Sequence, residues 1–265
     1  MVHPLDRAPL ARGPLSGIGV LVTRPARQAA SFAARIAALG AQPVIFPAIA
    51  ILPPVDPAPL ARAHAALDRY DIAVFVSANA AEFGVPPAGR WPARLVALAP
   101  GPGTAEALGA LGVPQVEIPA TTFDSEGLLA LPVLSDVGAR RIVIFRGDGG
   151  REFLADALRA RGASVEIVPC YRRAPPARVD GLDEAFRAGR IAVVTVTSSE
   201  GLDNLWSRAD ARTRDAWRAC PTLVPHPRIA AHARELGLAV VETGGGDAGL
   251  VAGLLAWALP HARQG

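Results

Sequence analysis

Polar side chains and glycines recur where apolar runs of this sequence give way to helical patterns. The turn R-G-D-G-G-R (146–151) is the richest, with two arginines, one carboxylate and three glycines. Glycine-rich turns before helices bind anions through exposed backbone N–H groups. The glycines do not fit G-x-G-x-x-G, and the nearest acid for a ribose, Glu166, is better explained as a surface-strand residue. The turn therefore favours a carboxylate-binding role over a nucleotide-binding one.

Similar turns follow the other apolar runs. Taken singly, each is best explained as a helix start, because Ser and Thr cap helices and Pro suits their first turn. Taken together, they bring several helix N-termini, which carry partial positive charge, to the same edge of a sheet. Such an edge suits a ligand with several carboxylates or phosphates. The turns begin at Thr23, Ser77, Pro100, Arg146, Thr197 and Pro225.

The usual catalytic groups are missing from these turns. All 27 basic residues are arginine, which excludes Schiff-base lysines, PLP lysines and the Walker lysine. No Ser, His and Asp recur in order near the turns. The two cysteines, Cys170 and Cys220, lack zinc spacing and fit small buried hydrophobes. No metal site is predicted.

Composition narrows the class of protein. A hydrophobic fraction of 51% and a charged fraction of 19% over 265 residues predict a globular chain. The net charge of +3 with dispersed arginines and 5% aromatics argues against nucleic-acid binding. No apolar run reaches the roughly 20 residues that span a bilayer, and residues 249–259 are predicted to form a buried C-terminal helix. Residues 1–17 lack the apolar stretch of a signal peptide. We expect a cytoplasmic monomer.

An internal repeat organises the chain. Residues 19–47 match residues 141–169 at a constant separation of 122 positions, with Phe32 and Ile36 falling on Leu154 and Leu158. Three more blocks pair in the same order, namely 72–83 with 192–205, 98–112 with 223–237, and 124–134 with 247–257. Each block runs from a β-branched apolar strand through a sharp turn into an amphipathic helix. The fold class predicted is α/β, with two similar lobes that each have a parallel β-sheet flanked by helices.

The ordered set of motifs resembles the uroporphyrinogen-III synthase family from about residue 17 to residue 257. No single motif is diagnostic, but the full series is hard to explain otherwise. The matching segments are VLVTRP (20–25), ALGAQPVIFPAIAI (38–51), FVSANA (75–80), PGPGTAEAL (100–108), SEGLL (125–129), FRGDGGREFLADALRARGASVEIVPCYRR (145–173) and TSSEGLDNL (197–205).

The resemblance implies two α/β lobes joined by a two-stranded β linker, with the active site in the cleft between them. The first β/α unit would then complete the lobe formed by the end of the chain. On this basis the predicted lobes are residues 1–48 with 174–265, and residues 49–173. Linkers are expected near 46–52 and 168–173.

The resemblance also implies a reaction. The substrate would be hydroxymethylbilane, a linear tetrapyrrole with an acetate and a propionate on each pyrrole. Loss of its hydroxyl as water gives an azafulvene, and closure through a spiro-pyrrolenine inverts the last ring to give uroporphyrinogen III. The pyrrole π-electrons drive each step, so the expected lyase has no cofactor. Hand-over from hydroxymethylbilane synthase is a possible partnership.

Site residues follow from the same resemblance. Tyr171 matches a cleft tyrosine near the departing hydroxyl and is predicted to be catalytic, as proton donor or as a group that positions the leaving water. A packing role is the alternative for Tyr171, and a plain N-cap the alternative for Thr104. His226 stands where a small polar residue is expected, and lysines of some members have no counterpart. The predicted substrate-binding residues are Thr104, Ser77, Ser198, Ser199, Arg24, Arg146, Gly147, Gly103 and His226.

Two other classes of protein stay open on the sequence. A two-lobed, cytoplasmic small-molecule binding or sensor module would look similar and would bind without turnover. A nucleotide or sugar-phosphate transferase would need a metal-binding acid pair near a glycine turn, and Asp148 alone supports that weakly. Turnover of a linear tetrapyrrole separates the first alternative from the synthase, and metal or nucleotide dependence identifies the second.

Overall fold

The computed structural model describes residues 13–87, 91–150 and 152–261. Residues 1–12 of the N-terminal segment and Arg151 of the glycine turn lie outside the described residues. The strands are β1 (Gly19–Val22), β2 (Gln42–Ile45), β3 (Ala50–Leu52), β4 (Ile72–Phe75), β5 (Val96–Leu98), β6 (Val116–Glu117), β7 (Arg141–Gly147), β8 (Ser164–Ala174), β9 (Val193–Thr195), β10 (Pro221–Val224) and β11 (Ala239–Glu242).

Helices follow most of these strands, as the alternating pattern predicts. They are α1 (Ala26–Ala38), α2 (Ala58–Ala65), α3 (Ala78–Gly84), α4 (Pro102–Ala110), α5 (Ser125–Leu129), α6 (Phe153–Ala160), α7 (Asp180–Arg187), α8 (Ser199–Trp206), α9 (Ala211–Ala219), α10 (Pro227–Glu235) and α11 (Gly246–His261). The chain divides into two compact units. Unit 1 comprises the residues up to Ala50 and those from Ala174 onwards, and unit 2 comprises Ile51–Arg173.

Unit 1 is built on a sheet with the strand order β11-β10-β9-β1-β2, and its neighbouring strands are parallel. All four residues of β1 are buried, as expected for a parallel strand covered on both faces. Val20 and Val22 pack with α1 and α11, whereas Leu21 packs with helices α7 to α10. The buried stripe of α1 includes Phe32 and Ile36, which confirms the helical pattern predicted there.

Unit 2 has a sheet with the order β3-β8-β7-β4-β5-β6. One face, with Phe145 and Val168, packs against α2, α3 and α4. The other face, with Ile144, packs against α5 and α6 through residues such as Leu158. The predicted α/β class with parallel sheets flanked by helices is confirmed in both units.

The internal repeat is confirmed by the strand order. In the unit 2 sheet, five strands lie in the order β6-β5-β4-β7-β8. Replacing each of them by its repeat partner gives β11-β10-β9-β1-β2, which is the strand order of the unit 1 sheet. The first strand of the chain, β1, therefore lies beside β9 rather than beside β4. The same exchange places β7 beside β4. The β1-α1-β2 segment completes the sheet formed by the last third of the chain.

The segments expected to link the lobes are part of the unit 2 sheet. The returning segment, 168–173, is the second half of the long strand β8. The outgoing segment, 46–52, ends in β3, which forms the edge of the sheet next to β8. The C-terminal helix predicted over 249–259 extends further, as α11, and buries Leu250 and Leu254 along one face. Among the described residues, no helix is long and apolar enough to cross a membrane.

Candidate active site at the carboxyl ends of strands β7 and β8

A cavity of about 350 Å³ opens in unit 2 at the carboxyl ends of the sheet strands. Loops after parallel strands meet at this edge, which is where α/β proteins bind ligands. The cavity is large enough for part of a substrate and combines apolar walls with a few polar groups, as small-molecule sites do. Its lining comprises Val76, Ser77, Ser125, Ile144, Arg146, Gly147, Asp148, Gly149, Gly150, Leu154, Ala155, Ile167, Tyr171 and Arg173.

Tyr171 is held in the cavity wall by an irregularity in β8. Along the β7–β8 pair, Phe145 lies opposite Val168 and Gly147 lies opposite Tyr171, so that Cys170 is an extra residue in β8. An extra residue of this kind sends the following side chain to the opposite face of the sheet. Tyr171 therefore shares the α3 face with Val168 and is only 5% exposed.

Gly147 lets the strand pass close to the tyrosine ring. A β-carbon at position 147 would stand 2.9 Å from Cε2 and Cζ of Tyr171, which is too close for any side chain. The next residue ties the turn to β8, because the Asp148 N–H donates to the Tyr171 carbonyl over 2.9 Å. The Arg173 N–H in turn donates to the Asp148 carboxylate over 3.3 Å. These hydrogen bonds fix the backbone at Tyr171, and Gly147 lies against its ring.

Ser77 lies opposite the tyrosine hydroxyl. It is the N-cap of α3, and its Oγ accepts a hydrogen bond from the Ala80 N–H over 3.0 Å. The same Oγ lies 3.3 Å from Oη of Tyr171. Phe83 of α3 packs against the tyrosine, with ring centroids 6.2 Å apart. The predicted pair of site residues, Ser77 and Tyr171, is therefore brought together.

Arg146 forms the charged wall of the cavity. Its side chain is 13% exposed, and Nη2 lies 3.2 Å from a carboxylate oxygen of Glu152 and 3.4 Å from the Gly150 carbonyl. Gly149 and Gly150 have φ values of +76° and +115°, which L side chains rarely adopt. The glycine-rich turn thus serves to curl the chain around Arg146 before α6 begins.

Thr104 and Gly103 lie at the start of α4, after β5. The N-cap of α4 is Gly101, so the plain N-cap interpretation of Thr104 is wrong. Thr104 is the third helical residue and is 8% exposed. The helix starts before Thr104 because Pro102 has the fixed φ of a first helical residue, which makes Gly101 the N-cap. A β-carbon on Gly103 would meet no atom within 4 Å.

The predicted polar residues of unit 1 lie at two helix starts. Ser198 caps α8 by accepting from the Gly201 N–H over 3.0 Å, and Ser199 is the first residue of that helix. His226 caps α10, since its Nδ1 accepts from the Arg228 N–H over 3.1 Å. The histidine therefore replaces a small polar residue in its capping role.

Arg24, the repeat partner of Arg146, is engaged within unit 1. Its guanidinium forms an ion pair with Asp247 in the first turn of α11 and lies 5.1 Å from the centre of the Phe32 ring. The side chains of Arg24 and Asp247 are 13% and 23% exposed. A substrate carboxylate would have to compete with Asp247 for this arginine.

Both cysteines are placed as the sequence suggests, although to different degrees. Cys170 is buried, and burial raises the pKa of its thiol to about 12, which keeps it protonated. Cys220 is half-buried, and its thiol pKa is also raised by burial. Over the described residues, no group of three or more His, Cys, Asp or Glu side chains could hold a metal ion.

Several residues of the site were missed by the sequence interpretation. Asp148 and Arg173 tie the turn to β8, Glu152 holds Arg146, Ser125 lines the cavity, and Asp247 holds Arg24. Asp247 could have been singled out from the sequence, because it begins the block 247–257 that pairs with residues 124–134 in the repeat. Nothing in the sequence pointed to the extra residue in β8.

Comparison with known proteins identifies relatives along most of the chain. Residues 30–244 match the family model described as uroporphyrinogen-III synthase HemD. The uroporphyrinogen-III synthase of Escherichia coli (strain K12) is 36% identical over 227 residues, which is 83% of this chain and 92% of that protein. The enzyme of Synechococcus elongatus is 34% identical over 203 residues, covering 74% and 76% of the two chains.

Solved structures show the same fold. The crystal structure of uroporphyrinogen-III synthetase from Helicobacter pylori 26695 matches with a TM-score of 0.52 and 12% identity, over 92% of this chain and 99% of that one. A mutant uroporphyrinogen III synthase from the extremely thermophilic bacterium Thermus thermophilus matches with a TM-score of 0.50 and 21% identity, over 92% and 99%.

Proposed function

The chain belongs to the uroporphyrinogen-III synthase family and is an enzyme of that kind, and we propose that the reacting end of its substrate binds in the cavity beside Tyr171. The substrate implied by the family is hydroxymethylbilane. The observation that carries this assignment is the Tyr171 hydroxyl. It belongs to a side chain that is 5% exposed, and it lies in the wall of a cavity next to Ser77 and Arg146.

The role proposed for Tyr171 is proton donor to the leaving hydroxyl. Departure of the hydroxyl breaks a C–O bond, and the phenol proton converts the departing group to water. The lone pair of the adjacent pyrrole nitrogen supplies the electrons that form the azafulvene. The last pyrrole then attacks this electrophile through its substituted α-carbon and gives the spiro-pyrrolenine. The bond from that carbon to the bridge of the preceding pyrrole breaks, the free α-carbon bonds to the same bridge, and the proton that this carbon loses on aromatisation restores the phenol. A positioned proton donor of this kind contributes about 10²- to 10⁴-fold in rate.

Arg146 is proposed to bind a substrate carboxylate at the cavity wall. A guanidinium offers paired donors that match a carboxylate. Glu152 holds Arg146 in place, and because the Glu152 side chain is 51% exposed, it can exchange its contact for solvent when the substrate binds. Gly147 contributes space rather than charge, since only a residue without a β-carbon leaves room for the tyrosine ring beside it.

The other binding residues remain predictions. Thr104 and Gly103 begin α4, Ser198 and Ser199 begin α8, and His226 caps α10, so each stands beside N–H groups that suit a carboxylate. Arg24 is the weakest of the set because Asp247 already neutralises it.

The physiological setting is proposed from the substrate's chemistry. Hydroxymethylbilane closes to the type I isomer without an enzyme, so direct supply from hydroxymethylbilane synthase in the cytoplasm would limit that loss. The pyrrole π-electrons drive ring closure, so the proposed reaction requires no cofactor or metal. A monomer carries every residue named here.

The test is a coupled assay with freshly generated hydroxymethylbilane and the purified chain in the presence of a chelator. Chromatography of the oxidised products separates the type I and type III isomers. We expect predominantly type III product at a rate that scales with protein concentration. Only type I product from a folded sample would overturn the assignment, and tetrapyrrole binding without turnover would favour the sensor alternative.

A further inference from the structure

Ser77 has two polar neighbours, a backbone N–H that donates to its oxygen and a tyrosine hydroxyl within hydrogen-bond reach. The Ala80 N–H donates to Ser77 Oγ over 3.0 Å as part of the helix cap. The second neighbour is Oη of Tyr171, at 3.3 Å. A serine hydroxyl has one hydrogen to donate and two lone pairs to accept with. The cap uses one lone pair and leaves the hydrogen and the second lone pair free, so the distance alone allows either hydroxyl to donate to the other.

The direction of the bond between the two hydroxyls decides what Tyr171 can do. If Tyr171 donated to Ser77, its phenol hydrogen would point at α3 and away from the cavity. If Ser77 donates to Tyr171, the phenol hydrogen is turned towards the cavity that Tyr171 lines. Only the second arrangement lets the phenol protonate a group bound there.

We infer that Ser77 is a positioning residue for the reaction, which donates its hydroxyl hydrogen to Tyr171 and keeps the phenol hydrogen directed into the cavity. This inference rests on the proposed function, because it assumes that Tyr171 protonates the leaving hydroxyl. It gives Ser77 a task different from the carboxylate-binding one predicted from the sequence. Ser77 acts on the substrate through the tyrosine.

The surroundings of the pair support this assignment. Ser77 cannot turn away without losing the α3 cap, so its oxygen is fixed within reach of the phenol. The ring is fixed as well, since Gly147 and Phe83 lie against it. Two groups held in place by separate backbone features form a better-oriented pair than two mobile side chains would.

The repeat shows that capping alone does not require this arrangement. Ser198 caps α8 with the same 3.0 Å bond that Ser77 makes to α3. The residues 122 and 123 positions before Tyr171 are Ile49 and, when the extra residue Cys170 is allowed for, Ala48, and neither has a hydroxyl to orient. The serine is common to both units, whereas the serine–tyrosine contact belongs to unit 2.

A double-mutant cycle tests the inference. The variants are Ser77→Gly, Tyr171→Phe and the combination of both. Glycine is a tolerated N-cap, so Ser77→Gly removes the hydroxyl at little cost to α3. We expect kcat to fall about 10-fold with KM changed less than about 2-fold, and we expect no further loss when Tyr171 is already Phe. Ser77→Thr, which keeps both the cap and the hydroxyl, should restore most of kcat.

Asp210→Gly is the matched control, because Asp210 caps α9 through the Thr213 N–H and lies outside the proposed site. It should lower thermal stability slightly and leave kcat near that of the unmodified chain. An equal loss from Ser77→Gly in both tyrosine backgrounds, or a rise in KM alone, would overturn the inference and leave the role of Tyr171 intact. Full activity of Tyr171→Phe would instead overturn the proposed role of the tyrosine, and the inference with it.

Discussion

The ends of β1 and β7 occupy equivalent places in two sheets of the same strand order, yet the chain leaves them differently. After β1 it enters α1 at Ala26, whose repeat equivalent 122 positions later is Asp148. After β7 it does not become helical until Phe153. The residues between Asp148 and Phe153 make the glycine-rich turn, and the cavity lies against that turn.

The arginines at these two strand ends show the same contrast. Arg24 pairs with Asp247 and is covered by Phe32, so its charge is neutralised inside unit 1. Arg146 pairs with Glu152, whose side chain is 51% exposed, and stands in a cavity wall. The duplicated scaffold provides strand ends in both units, while unit 2 adds one longer turn beside its cavity and one extra strand residue before Tyr171.

The largest effect is expected from removing the group that distinguishes unit 2. Tyr171→Phe should lower kcat by about 100-fold or more, because the phenol proton is lost while the ring and its packing remain. The measurement is type III product formation at saturating substrate. Tyr70→Phe is the matched control, since Tyr70 is the other tyrosine and bonds Glu166 elsewhere in unit 2. It should change the rate less than about 2-fold while costing about 1 kcal/mol of stability.

Closing the space beside the ring should give the next effect. Gly147→Ala places a methyl group 2.9 Å from the Tyr171 ring, so the ring must shift. We expect a loss of about 1 to 3 kcal/mol in stability and at least a 10-fold fall in turnover. Gly109→Ala is the control, because an added β-carbon there would meet no atom within 4 Å. It lies inside α4 and should stabilise slightly. Normal turnover of Gly147→Ala would contradict the ring placement.

Removing the carboxylate charge should lower the free energy of unfolding more in the Arg24–Asp247 pair than in the Arg146–Glu152 pair. Asp247→Asn leaves the largely buried guanidinium of Arg24 without its counter-charge, so we expect a loss of about 1 to 3 kcal/mol. Glu152→Gln weakens a more exposed pair and should cost less than about 1 kcal/mol. Urea unfolding followed by circular dichroism compares them. Equal losses would remove the distinction between a pair with a largely buried carboxylate and a pair with an exposed one.

The smallest effect concerns pH and unit 1. His232 Nε2 lies 2.6 Å from an Asp203 oxygen, and this hydrogen bond raises the His232 pKa above its usual value of 6.5, with Glu235 adding to the rise. A histidine whose pKa is raised in the folded state contributes its full stabilisation of the fold below pH 6.5. That contribution is lost as the pH rises through the pKa of the folded state. The stability difference between the unmodified chain and His232→Gln should therefore be larger at pH 5.5 than at pH 9, by less than about 1 kcal/mol. A difference independent of pH would show that folding does not raise the His232 pKa.

The features that could be predicted from the sequence are those set by local patterns and by the repeat. β-branched runs mark the strands, and the apolar stripe that includes Phe32 marks α1. The capping residues Ser77, Ser198 and His226 were found at strand-to-helix turns because a cap must supply an oxygen or nitrogen at that point. The repeat predicted two similar sheets, and the family resemblance implied that β1 joins the sheet formed by the end of the chain.

The features that escaped prediction depend on contacts between distant residues. The extra residue at Cys170 is visible only in the pairing of β8 with β7, and it decides which face Tyr171 occupies. The partner of Arg24 is 223 positions away, on α11. A plain N-cap was the alternative role for Thr104, whereas Pro102 places the cap at Gly101.

The position of β1 has a consequence for synthesis of the chain on the ribosome. β1 ends at Val22, but its neighbour β9 begins at Val193, so at roughly 5 to 20 residues per second about 10 to 30 s separate their emergence. Unit 2 is continuous, and all of its strands have been synthesised by Ala174. Translation therefore finishes the unit that contains Tyr171 first, and the unit begun first is completed last.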